Sequence, residues 1–111
     1  SAPAPMAAAV ARVEGFAEGS AVADPRGAIL WARDAARDSR TRITITGSTD
    51  GARDVDAATA SAAILAADRA RAVAAALVRS GAASPDRIVI LTDPGKRRAV
   101  TLSVGFAGDA N

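Results

Sequence analysis

The chain contains no cysteine and no histidine. The first absence excludes disulfides, thiolate nucleophiles and sulfur-ligated zinc. The second removes the commonest general base and the commonest metal ligand. A Ser-His-Asp arrangement therefore cannot be assembled from this chain. Aromatic residues are almost missing as well: Phe16, Trp31 and Phe106 are the whole complement in 111 residues. That leaves almost no platform on which a nucleic-acid base could stack. Nor is there a basic stripe. Thirteen Arg and one Lys stand against twelve acids, giving a net charge of +2, and the basic residues cluster only at Lys96-Arg97-Arg98. Nucleic acid is not an expected partner. No apolar run is long enough to span a bilayer, so direct membrane insertion of this segment is not expected either. With no catalytic constellation and no metal-ligand cluster, we expect neither enzymatic activity nor a cofactor or metal. Ser48, Asp50 and Arg69 would be the best groups an enzyme reading could offer.

What is present is alanine, arginine and a modest set of branched aliphatic residues. Half of the chain is hydrophobic, but much of that half is alanine. The core should therefore be small, with helices packed closely through Ala against Ile, Leu and Val. Residues 1–9 are rich in Ala and Pro and read as a linker or an appended end. Val10 to Phe16 suits a first strand, broken at Gly19-Ser20. Asp24-Pro25 is a helix-start signal, and "RGAILWARDAARDS" continues it. Arg42 to Thr46 alternates as a half-buried strand does and stops at Gly47. The longest element is "AATASAAILAADRARAVAAALVRSG", with Asp54 or Asp56 as candidate caps and Gly81 as its stop. Arg87 to Leu91 and Arg98 to Val104 suit two further strands. The turn "TDPG" between them predicts an antiparallel hairpin. The order is β-α-β-α-β-β. It predicts an α+β two-layer sandwich, a small mixed sheet with both helices on one face.

Two charged residues sit where the pattern does not require them. Asp50 lies at the mouth of the strand "ITITGSTD", where a carboxylate is ordinarily a turn or cap residue. Arg69 lies on the apolar face of the long helix, four residues after Leu65 and four before Val73. A guanidinium on a buried stripe needs a partner. Asp68 or another neighbouring acid is the plain candidate. The sharper one is a ligand carboxylate, because Asp50 and Arg69 together would suit a zwitterion.

These residues carry a resemblance. "ITITGSTD" followed by "LAADRARAVAAALVRSGAASPDRI" resembles the OmpA-like peptidoglycan-binding domain (the type found at the C-termini of OmpA, Pal and MotB). Gly47, Thr49 and Asp50 match its strand end. Leu65, Arg69, Ala70, Val73 and Leu77 match its helix, and Gly81, Asp86, Arg87 and Ile88 match the turn into the next strand. The resemblance spans the proposed domain, 10–105, and leaves 106–111 as a C-terminal tail. It departs from the family at Ser48, Ala62 and Ala66. Asp50 and Arg69 are about four residues further apart than is typical, and the loop between the last two strands is shortened to "TDPGK".

The resemblance implies a non-catalytic anchor module of a Gram-negative cell envelope, in the periplasm, with diaminopimelate-containing peptidoglycan as its partner and other envelope proteins as further ones. It implies that Asp50 takes the ammonium and Arg69 the carboxylate of the stem-peptide diaminopimelate. Thr49 and Arg98 (or Arg97 in its place) would assist, and both charges would be open to solvent. Arg53, in the inserted segment, could instead occupy Asp50. The departures support an alternative: an OmpA-like fold that has lost peptidoglycan binding and serves as a structural or protein-interaction module of an envelope complex.

Overall fold

A computed structural model describes residues 10–51 and 53–106. The expected linker at 1–9 and the tail from 107 onward lie outside the described residues, and Phe106 belongs to the last strand. The elements are β1 (Val10–Val13), α1 (Arg26–Ala35), β2 (Thr41–Gly47), α2 (Ala62–Arg79), a 3-10 turn (Pro85–Arg87), β3 (Ile88–Thr92) and β4 (Val100–Phe106). The order β-α-β-α-β-β and the α+β class are those expected from the periodicities.

The sheet is mixed and runs β1-β4-β2-β3. β2 pairs in parallel with β3 and antiparallel with β4, and β4 pairs antiparallel with β1. The expected hairpin between the last two strands does not form, because β2 lies between them. The backbone shows why. Asp93 N–H donates to the Gly47 carbonyl on one side of β2, and Ser48 N–H donates to the Ala99 carbonyl on the other. The loop from β3 to β4 thus straddles the end of β2 instead of folding on itself. As a central strand, β2 satisfies both of its edges.

Side chains alternate along β2: Thr41, Ile43, Ile45 and Gly47 are buried, while Arg42, Thr44 and Thr46 face the other way. The buried Ile43 and Ile45 share a core with Val100 and Leu102 of β4 and, one strand further, Val13 of β1. Both helices cover this face: Ala28 and Ala32 from α1, and Ala70, Val73, Ala74 and Leu77 from α2, join one core with it. The stripe Leu65–Arg69–Val73–Leu77 is buried along its whole length, the arginine included.

The end of α2 follows from sequence, but its start corrects the expectation. Ser61 is the N-cap, its hydroxyl oxygen accepting from Ile64 N–H, and neither Asp54 nor Asp56 caps the helix. Gly81, with φ +78°, ends it. Its N–H donates to the Val78 carbonyl, and that of Ala82 to the Leu77 carbonyl, so two otherwise orphaned carbonyls are satisfied. Gly81→Ala should cost about 1–2 kcal/mol, because an L side chain is strained in this left-handed position. Urea unfolding measures it, and an unchanged midpoint would show that the cap contributes nothing.

Candidate functional site

β2 ends at Gly47, and the turn Ser48-Thr49-Asp50 is fixed from two sides. The Ser48 hydroxyl donates to the Asp93 carbonyl at 2.7 Å and accepts from Arg97 N–H at 3.3 Å. The Thr49 hydroxyl oxygen accepts from Gly95 N–H at 3.0 Å. The β3–β4 loop is thereby pinned onto the strand end, with Thr49 fully buried. Thr49 is therefore a residue that shapes the loop, and it presents no group to solvent.

Arg69 does not reach solvent, contrary to the expectation. Its side chain is wholly buried, and its partner is neither Asp68 nor a ligand but Asp54. Asp68 pairs instead with Arg71, at 3.7 Å. Two parallel bonds join Arg69 Nη1 and Nη2 to the Asp54 carboxylate, at 2.5 and 2.7 Å. The remaining N–H groups donate to backbone carbonyls: Nε to Ser20, Nη1 to Ser48 and Nη2 to Ala17. All five donors of the guanidinium are thus used. The Phe16 ring covers the guanidinium carbon, with its centroid 4.9 Å away.

Asp54 is equally committed. Besides Arg69 it accepts from Gly19 N–H at 2.8 Å and from Asp50 N–H at 2.9 Å. Burial pushes its carboxyl up, but the hydrogen bonds from Arg69, Gly19 and Asp50 outweigh this and hold it down at about 2. The pair ties together the β1–α1 loop, the end of β2 and the middle of α2.

Above this buried pair lies an exposed one. The Asp50 carboxylate meets Arg98 Nε at 3.4 Å, and the two side chains are 44% and 43% exposed. Arg98, not Arg53, is the cation on Asp50. The sequence residues therefore divide in two. Asp50 and Arg98 come together at the surface, while Arg69 is wholly buried and is joined to this turn through Asp54, which accepts from Asp50 N–H, and through the Ser48 carbonyl. Among the described residues no group of three or more His, Cys, Asp or Glu is placed to hold a metal ion.

No protein-family sequence model matches the chain, and no curated protein matches it by sequence. Solved structures do match by shape. The cell wall anchor of the T6SS from Pseudomonas aeruginosa superposes with a TM-score of 0.66 at 21% identity, over 88% of this chain and 80% of that one. A crystal structure of the periplasmic domain of Helicobacter pylori MotB gives 0.69 at 21% identity, over 92% and 82%. The OmpA-like domain of FopA1 from Francisella tularensis gives 0.62 at 15% identity, over 92% and 75%. These identities are low, but the likeness spans nearly all of the described residues, and it accompanies the strand-end and helix motifs. The chain has the fold of OmpA-like domains.

Proposed function

We propose that this is a non-catalytic, wall-binding module of a Gram-negative envelope protein, placed in the periplasm. Its surface pair Asp50–Arg98 takes the zwitterionic end of diaminopimelate in peptidoglycan. The observation that carries this is the exposed pair at the end of β2, one contact of 3.4 Å between side chains that are each nearly half exposed. Such a pair contributes little on its own, about 0–1 kcal/mol, so opening it costs little. A ligand ammonium on Asp50 and a ligand carboxylate on Arg98 would replace one loose ion pair by two charge-assisted ones. Arg69 has no part in the contact, and its role passes to Arg98. The likeness to a cell wall anchor and to periplasmic domains supports the location and the kind of partner.

One observation favours a second reading. Arg69, the cation that the resemblance puts on the ligand carboxylate, has no donor left. If the guanidinium is indispensable to wall binding, the domain is a structural or protein-interaction module instead.

Co-sedimentation with purified peptidoglycan separates the two. The wall-binding reading expects capture at low salt, weaker when lysine replaces diaminopimelate, since lysine lacks the second carboxylate. Asp50→Asn and Arg98→Ala should each weaken binding by about 1.5–3 kcal/mol, with the melting temperature nearly unchanged. A domain left in the supernatant at low salt establishes the second reading. Capture that ignores both substitutions places the contact elsewhere.

A further inference from the structure

The face of the sheet opposite the helices is not a bland surface. Alternation puts Arg42, Thr44 and Thr46 of β2 on it. The strand register sets Thr46 beside Thr101 of β4, and Thr101 beside Arg12 of β1. Arg12, Thr101 and Thr46 therefore form a row across three adjacent strands. At the end of that row the β3–β4 loop rises. It brings Lys96, Arg97 and Asp93 over the same face and leaves a cleft of about 260 Å³ lined by these six residues and Ser48.

Three features of the cleft point to a ligand. The first is charge: Arg12, Lys96 and Arg97 face a single acid of the lining, Asp93, which leaves +2 on an otherwise nearly neutral chain. The second is the supply of free donors. No side-chain hydrogen bond from Thr46 or Thr101 to another described residue is formed, so both hydroxyls can turn to a ligand. The third is rigidity. Arg97 N–H is held by the Ser48 hydroxyl and Gly95 N–H by that of Thr49, so the loop that carries two of the cations is already in place. Preorganised donors avoid an ordering cost on binding. Among the described residues the salt bridge that competes for these cations is a loose surface pair between Arg12 and Glu14 at 3.7 Å, which a ligand can displace cheaply.

We infer that this cleft binds a phosphate monoester, with Arg12 and Arg97 on the phosphoryl oxygens, the Thr46 and Thr101 hydroxyls donating between them, and Lys96 as a further cation. A phosphate monoester carries about −1.5 to −2 at neutral pH, which matches the excess charge of the cleft. Guanidinium groups flanking hydroxyls are suited to tetrahedral oxyanions. At about 260 Å³ the cleft is smaller than the pockets that hold drug-sized ligands. The ester can belong to a soluble sugar phosphate or to a lipid headgroup. The site is separate from Asp50 and Arg98 and does not rest on the wall-binding reading.

The test is a backbone-amide NMR titration of the whole chain with glucose 6-phosphate, against glucose and against sodium chloride at equal ionic strength. A parallel arm uses phosphatidylcholine vesicles with and without phosphatidic acid. Saturable shifts centred on Arg12, Thr46, Arg97 and Thr101 are expected with the sugar phosphate only. Retention on phosphatidic acid vesicles in addition would assign the source to lipid, and its absence would assign it to soluble esters. Arg97→Ala and Arg12→Ala should each weaken binding about tenfold or more. Thr46→Val with Thr101→Val, which keeps shape and charge, should weaken it severalfold, and Asp93→Asn should tighten it. Shifts reproduced by sodium chloride, or binding that the threonine variant leaves intact, would overturn the proposal in favour of diffuse attraction. The absence of saturable shifts would overturn it outright.

Discussion

Arg69→Ala is expected to remove about 3–5 kcal/mol of stability, a large share of what a domain of this size possesses. The loss has two parts. Asp54 is left as a buried charge with no cation, the carbonyls of Ser20 and Ser48 lose their donor, and that of Ala17 keeps only Ser20 N–H. Asp54→Ala should be comparably severe, because it strands the guanidinium and the N–H groups of Gly19 and Asp50. Many buried ion pairs can be replaced by apolar residues at no cost. This one should not be, since the pair also satisfies five backbone groups. Arg69→Met combined with Asp54→Leu should therefore stay well below the parent in thermal melting. A double variant that melts with the parent would show that the backbone contacts contribute nothing.

Acid should act on the same pair. The Asp54 carboxyl sits at about 2 in the folded chain, below its ordinary value of 3.8. A depressed folded value means that the contribution is complete above the unfolded value and is lost as pH falls through the folded one. The window thus runs from roughly pH 4 down to pH 2, and the difference is worth about 2 kcal/mol. Asp54→Asn should flatten that part of the stability–pH curve. An unaltered acid limb would show that other carboxylates dominate it. Asp38, also held at about 2 by Arg40, is only half-buried, so its share should be smaller and screened by salt.

The sequence made Arg69 conspicuous but not its partner. A charge on an apolar stripe is visible at helical spacing, and the burial of Leu65, Val73 and Leu77 around it follows from the same periodicity. Asp54 lay in a turn-rich segment, where an acid is ordinarily a cap. Yet a signal was present. Asp50 and Arg69 are about four residues further apart than the resemblance expects, and Asp54 follows Asp50 by four. The carboxylate at the expected distance from Arg69 is the one that fills its fork. Strand pairing was hidden for a different reason. A short Pro-Gly turn favours a local hairpin, and nothing local reveals that β2 offers Gly47 and Ser48 to both sides of that turn. Ladders of high sequence separation are decided by burial across the whole sheet, which periodicity within one segment does not report.

Gly47→Ala is expected to destabilise the fold by about 3 kcal/mol or more, although it adds only one methyl group. The reason is the approach of α2 to the end of β2. A Cβ at position 47 would lie 1.8 Å from the Ala66 carbonyl oxygen, 2.8 Å from its carbon and 3.1 Å from Ala70 Cβ. The obstacle is helix backbone, so no side-chain rotation relieves it, and trimming Ala70 to glycine removes only the mildest contact. Room can be made only by lifting α2 from the sheet. Arg69 sits on α2 between these two alanines, and lifting the helix would draw its guanidinium out of the Asp54 fork. The two losses should therefore overlap: Gly47→Ala combined with Arg69→Ala should cost less than the sum of the single changes. Gly51→Ala is the control, since that glycine is exposed and nothing lies within 4 Å of an added Cβ. Urea unfolding of the four variants decides the matter. Equal midpoints for Gly47→Ala and Gly51→Ala would refute the close approach, and strict additivity with Arg69→Ala would refute the claim that seating the helix on Gly47 is what holds the buried pair together.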